Sequence, residues 1–261
     1  ATVLRLLLAT NTGRVLRQWF CLKSHSSYSS SSSCSSCSLG RHTALLLAAQ
    51  FGHRSIVEYI LSNKITPLTE TDTSGYNAMH HVSMGGSVET LEYLHEQGLD
   101  VSSRCQSNQA TPMWLAAYYN RPNIMKALLE RGASVKEVND AEQTPLLAAV
   151  SNKATSSIEF LLEHGCSLAD RTKENMTALH ISAKKGQLDL VKHLVTLGAN
   201  VDDRTDKGVD SLMLACGAGE LDVVKYLAQL DPALLRNISN EQNNALHYAG
   251  GRKNYIRKEN K

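Results

Sequence analysis

One seven-residue pattern recurs along this chain at almost constant spacing. It reads TALLLAA from Thr43, NAMHHVS from Asn77, TPMWLAA from Thr111 and TPLLAAV from Thr144. It continues with TALHISA from Thr177, DSLMLAC from Asp210 and NALHYAG from Asn244. The intervals are 34, 34, 33, 33, 33 and 34 residues. A period in the range of roughly 20–50 residues implies a stack of one small supersecondary unit, because each copy shares its core with its neighbours.

A second pattern follows each of the first six. SIVEYIL (55–61), ETLEYLH (89–95), NIMKALL (123–129), SIEFLLE (157–163), DLVKHLV (189–195) and DVVKYLA (222–228) are amphipathic at helical spacing. Gly98, Gly132, Gly165 and Gly198 follow four of these segments. Glycine there can take the left-handed conformation that ends a helix. Each unit therefore reads as a short helix, a turn, a longer helix, a glycine stop and a polar loop.

These residues resemble the ankyrin repeat family, over about residues 39–250. The resemblance implies an all-α fold, an ankyrin-repeat solenoid of stacked helix-turn-helix units with short hairpin-like loops. Seven units are expected, the last incomplete. The departures are local: Asn77 and Asp210 replace Thr, Trp114 and Met213 stand where His is usual, and Val82 replaces Ala. Asn, Asp and Thr all start helices through a side-chain bond to the backbone, so the geometry is expected to survive. Leu45, Met79, Met113, Leu146, Leu179, Leu212 and Leu246 share one position and are expected to line the common core. The pairs Ala48/Ala49 and Ala116/Ala117 are small enough for inner helices to approach closely.

The ends differ from the array. Residues 1–38 are basic and Ser-rich, with 11 serines among positions 24–38, and read as a disordered leader or linker. An Arg- and Ser-rich, acid-poor start also resembles a mitochondrial transit peptide, and a degenerate preceding repeat is a further reading. Residues 251–261 read as a basic tail or a truncated last repeat, which suggests a fragment of a longer protein.

Charge separates the same regions. Residues 41–249 hold 18 basic and 24 acidic groups, a balance of −6. A body of that sign argues against nucleic-acid binding, which needs cations against phosphates. No apolar run approaches the roughly 20 residues of a membrane-spanning helix. Six cysteines without a disulfide-like spacing suggest a reducing, cytoplasmic compartment.

No catalytic constellation emerges. The pair Cys34 and Cys37 lies in the serine tract with no second pair, and His80, His180 and His247 recur at the repeat's His position, which in this family is structural. HEQG from His95 does not continue into a zinc motif, and the Gly-rich turns lack a phosphate-binding lysine. No enzyme activity, cofactor or metal is expected. Cys216 reads as a small core residue.

The resemblance implies a monomeric protein-interaction scaffold that binds a partner protein through the concave face and loop tips. The alternative is a cytoplasmic regulatory segment of a larger channel or enzyme. Carried onto this chain, the tips are Tyr76, Ser107, Asn108, Asp140, Gln143, Lys173 and Glu174, with Met176, Asp206 and Lys207. The first-helix ends are Phe51, Met84, Tyr118, Tyr119, Asn152, Lys184 and Lys185. Tyr118 and Tyr119 fall where the repeat imposes no packing duty, and aromatic residues are enriched at interface hot spots.

Overall fold

A computed structural model describes residues 43–85 and 87–251. The leader 1–38, with Cys34 and Cys37, and residues 252–261 of the tail lie outside the described residues. Six helix pairs follow one another. They are α1 (Ala44–Gln50) with α2 (Arg54–Ser62), α3 (Ala78–Gly85) with α4 (Val88–Glu96), and α5 (Pro112–Tyr118) with α6 (Pro122–Glu130). Then come α7 (Pro145–Ser151) with α8 (Thr155–Glu163), α9 (Ala178–Lys184) with α10 (Leu188–Thr196), and α11 (Ser211–Ala218) with α12 (Leu221–Leu230). A 3₁₀ turn at Pro232–Arg236 leads to a helix at 245–251 that opens a seventh unit. The only β-pairing among the described residues is an isolated antiparallel bridge between Thr71 and Asn77. The architecture is the expected all-α solenoid.

Each inner helix starts where the sequence pattern starts, because the first residue caps it. Thr111 Oγ1 accepts the Trp114 N–H at 3.2 Å and Thr144 Oγ1 accepts the Leu147 N–H at 3.4 Å. The departures serve equally: Asn77 Oδ1 accepts the His80 N–H at 3.1 Å and Asp210 Oδ1 the Met213 N–H at 2.8 Å. Such caps contribute about 1 kcal/mol each. Pro112 and Pro145 occupy the first helical position, where no N–H is needed. At the far end of the outer helices, Gly98, Gly132, Gly165 and Gly198 take φ between +80° and +101°.

The inner helices stack in sequence, α1 on α3, α3 on α5, α5 on α7, α7 on α9 and α9 on α11. Leu45, Met79, Met113, Leu146, Leu179 and Leu212 are at most 1% exposed in that stack. Ala49, Ala116 and Ala117 are fully buried and Ala48 nearly so, which lets the helices close on one another. Leu246 departs from the expectation. It is 79% exposed, because no further described helix pair covers the 245–251 helix. Cys216 also departs, being only half-buried near the end of α11.

The histidines join the same framework. The Asn77 N–H donates to His80 Nδ1 at 3.2 Å, and His80 Nε2 contacts the Ala110 carbonyl of the next unit at 3.2 Å. Thr177 and His180 close a reciprocal capping box on α9. Burial lowers the His80 pKa to about 4 against an ordinary 6.5, only partly offset by the Ala110 carbonyl. His180 is lowered for the same reason.

Two outcomes follow from this packing. Leu146→Ala should destabilise the chain by about 2–5 kcal/mol and Leu246→Ala by less than about 0.5 kcal/mol in urea titrations, since only the first leaves a cavity. For His80 the unfolded chain takes up its proton near pH 6.5 and the native chain only near pH 4. The stability His80 contributes is therefore complete above about 6.5 and is lost as pH falls towards 4, by about 3 kcal/mol. Denaturation of wild type and His80→Leu across that window should show a flatter slope in the variant.

Candidate functional site

The polar loops between units fold as hairpins, and their tips are tied into a row. Within each tip the chain closes on itself: the Asp72 N–H donates to the Tyr76 carbonyl at 3.0 Å, Asn139 to Gln143 at 3.2 Å and Thr172 to Met176 at 3.0 Å. A short polar side chain braces the turn. Asp72 Oδ1 accepts the Ser74 and Tyr76 amides, and Asn139 Oδ1 accepts the Ala141 and Gln143 amides. Thr172 Oγ1 does the same for the Met176 amide at 3.2 Å, and within these turns Glu142 and Asn175 take φ +55° and +61°, a left-handed conformation that glycine fills at Gly75 and Gly208.

Between tips the backbone forms a ladder. Ser107 N–H donates to the Ser74 carbonyl at 3.0 Å, Asp140 to Asn108 at 3.0 Å and Lys173 to Ala141 at 2.9 Å. Asp206 continues to Glu174 at 3.4 Å and Asn240 to Lys207 at 3.0 Å. Every tip from the second unit onward is thus registered against the one before it. The seven predicted tip residues of the site share this rail.

The helix-end residues form a second row, also stitched between units. Arg121 Nε donates to the Met84 carbonyl at 3.0 Å, and Asn152 Nδ2 to the Tyr118 carbonyl at 2.8 Å. Lys185 Nζ donates to the Ser151 carbonyl. These bonds satisfy carbonyls that an inner helix leaves open at its C-terminus.

The two rows sort the predicted residues by what holds them. Tyr76 is half-buried, its hydroxyl 3.5 Å from Asn108 Oδ1 and its ring 5.4 Å from that of His80. Burial, with Cys105 beside it, pushes the Tyr76 phenol up to about 12. Asn108 Oδ1 also accepts from Cys105 Sγ at 2.8 Å and from the Ala110 amide at 3.2 Å. Gln143 takes a long bond from Asn139 Nδ2 at 3.4 Å. Tyr76, Asn108, Gln143, Asn152 and Lys185 are therefore engaged in joining or bracing units. Ser107 is exposed, with Cys105 Sγ 3.7 Å from its hydroxyl, and Met84 is half-buried. Asp140, Lys173, Glu174 and Lys184 are exposed, and their side chains make no hydrogen bond or ion pair among the described residues.

Tyr118 and Tyr119 are not equivalent. Tyr118 is half-buried and stacks on Trp114, with ring centroids 5.5 Å apart and planes at 8°. Tyr119 is 42% exposed and meets Tyr118 edge-on at 5.2 Å. Partial burial, then proximity to Tyr118, raises the Tyr119 pKa. Trp114 is a member of this cluster that the sequence reading passed over. Its position four residues before Tyr118, one helical turn away, was the available signal.

A groove of about 430 Å³ lies between tips and inner helices in the later units. Lys173, Glu174, Met176, Lys184, Asp206 and Lys207 line it, so the structure brings predicted residues of both rows together here. Leu214 and Tyr248 form apolar parts of its wall, and neither was singled out in the sequence. Both immediately follow the repeat's His position, a slot whose other occupants, such as Leu115 and Ile181, are buried. Among the described residues no group of three or more His, Cys, Asp or Glu side chains could hold a metal ion, and no helix is long and apolar enough to cross a membrane.

Known proteins share this architecture. A family model of ankyrin repeats matches in three copies, over residues 45–139, 134–205 and 183–257. The human ASB11 ankyrin repeat domain superposes with a TM-score of 0.67 at 22% identity, covering 80% of this chain and 92% of that one. A chain in the structure of the Bd0816 predatory endopeptidase from Bdellovibrio bacteriovorus in complex with immunity protein Bd3460 gives a TM-score of 0.60 at 22% identity, covering 72% and 98%. Among curated proteins, the Caenorhabditis elegans ankyrin repeat and KH domain-containing protein mask-1 is 28% identical over 117 residues, 42% of this chain. The match spans 4% of that much longer relative. The family model covers well over half of the chain, from residue 45 to 257, and the chain belongs to the ankyrin repeat family.

Proposed function

We propose that this chain is a protein-interaction scaffold that receives a segment of a partner protein along the surface between its loop tips and inner-helix ends. The observation that carries the reading is a division of labour among side chains. The backbone ladder and the staples from Arg121, Asn152 and Lys185 hold the two rows in place. Asp140, Lys173, Glu174, Lys184 and the exposed part of Tyr119 are then left for contacts outside the chain. Rigid presentation matters, because ordering a flexible surface on binding costs affinity.

The groove carries the proposed surface into units six and seven. Its lining carries both charges, Lys173, Lys184 and Lys207 with Glu174, Asp206 and Glu241, beside apolar Met176, Leu214 and Tyr248. Charged groups combined with exposed apolar surface are a feature of protein interfaces. A reducing, cytoplasmic setting belongs to the same proposal, supported by the free thiols of Cys105, Cys166 and Cys216. A second reading, a regulatory ankyrin segment of a larger protein, draws support from the length of the curated relative, of which the match is 4%.

Affinity capture from cell extract tests the scaffold reading when the bait carries surface variants. A partner held by wild type should be lost, by about tenfold or more, on Tyr118→Ala/Tyr119→Ala or on Lys173→Glu/Lys184→Glu. It should be retained on Lys126→Glu, an exposed outer-helix control. Circular dichroism establishes that each bait is folded. Partners lost only with the outer-helix control would contradict the reading.

A further inference from the structure

We propose that the Trp114–Tyr118–Tyr119 cluster, together with the carboxylates of Asp140 and Glu142, docks an arginine or lysine side chain carried on an extended segment of a partner protein. The inference rests on the scaffold reading and names the chemistry of its ligand.

Three observations converge on it. The first is the aromatic surface. Tyr118 has one face against Trp114 and an edge contact with Tyr119, while Tyr119 stays 42% exposed. Aromatic faces carry negative quadrupole density and attract a cation lying over them. The chain pairs cations with rings elsewhere, Arg54 over Tyr93 at 5.7 Å and Lys192 over Tyr226 at 5.8 Å. No such pair among the described residues involves Trp114, Tyr118 or Tyr119.

The second is charge. Asp140 and Glu142 are exposed at the adjoining tip and form no ion pair among the described residues. No Lys or Arg lies in the tip segments 107–110 or 140–143, and residues 41–249 carry a balance of −6. The nearby cations are already engaged: Arg104, three residues before the first of these tips, donates to the Gln109 and Val138 carbonyls and lies 3.7 Å from Glu137, and Arg121, two residues after Tyr119, donates through Nε to the Met84 carbonyl.

The third is register. Tyr118 occupies in the third unit the position Lys184 holds in the fifth, and Asp140 the position Asp206 holds two units on. Lys184 and Asp206 line one groove. The repeat therefore brings Tyr118 and Asp140 to one groove as well. The Asn152 bond to the Tyr118 carbonyl and the Asp140 bond to the Asn108 carbonyl fix both of its sides. In the fifth unit the protein's own Lys184 supplies the cation at this place. In the third, aromatic rings stand there and the acidic tip remains, so the complementary charge has to come from the ligand.

The test is a selection of phage-displayed random linear peptides on the full 261-residue chain. The expected result is a recurrent position enriched at least about fivefold in Arg or Lys. Binding of the selected peptides should fall about tenfold or more on Tyr118→Ala/Tyr119→Ala, and independently on Asp140→Asn/Glu142→Gln, which leaves the aromatic packing intact. Tyr119→Phe should retain binding, because the ring and not the hydroxyl supplies the attraction. Exchange of the peptide's cationic residue for Leu should cost a similar factor. A recurrent acidic or apolar position, absence of any consensus, or binding indifferent to both pairs of variants overturns the proposal. Peptides lost on Lys173→Glu/Lys184→Glu but not on tyrosine removal would overturn it while upholding the scaffold reading.

Discussion

A unit of about thirty-three residues with two short helices cannot close its own apolar face, and everything else in this chain depends on how neighbours close it instead. Burial between units removes Leu45, Met79, Met113, Leu146, Leu179 and Leu212 from water. Each such side chain contributes about 1.5–3 kcal/mol relative to exposure. Leu246 shows the converse: the same residue type at the same register position remains in water where no described unit covers it. Stability is therefore a property of interfaces between units, and a single unit removed from its neighbours loses the term that folds it.

Stacking also creates a polar problem whose solution shapes the functional surface. Each inner helix ends with open carbonyls, and each loop tip presents backbone groups to its neighbour. The chain satisfies them with bonds between units, namely the tip ladder and the side chains of Arg121, Asn152 and Lys185. Side chains spent in this way are fixed, and their neighbours stand clear. The proposed binding surface is thus what remains after the stack has met its own hydrogen-bonding needs.

The fold was legible because its signal repeats. Caps, glycine stops and apolar positions each recur, and Asn77 and Asp210 cap helices as Thr does. The site was legible only as two rows of positions. The sequence places Tyr76 among free tip residues, yet its ring lies against His80 and its hydroxyl reaches Asn108 in the next tip. Asn152 and Lys185 likewise reach backwards by one unit. Such contacts depend on the spacing between units and on rotamers, which a one-dimensional pattern does not encode. Trp114 was hidden for a different reason: it fills a slot that elsewhere holds structural histidines, and only the parallel stack on Tyr118 reveals its second role. Leu214 and Tyr248 join the groove wall because their shared slot is covered to different degrees along the stack.

The central claim is that the tips form a rigid, registered rail, and residue-resolved amide hydrogen exchange addresses it most directly. The account predicts slow exchange at Ser107, Asp140, Lys173, Asp206 and Asn240, whose N–H groups donate to the preceding tip. It predicts fast exchange at the exposed Glu174 and Lys207 amides beside them. Uniformly fast exchange across all these tips would mean that the rail does not hold, and that the side chains it carries are not presented on a fixed surface.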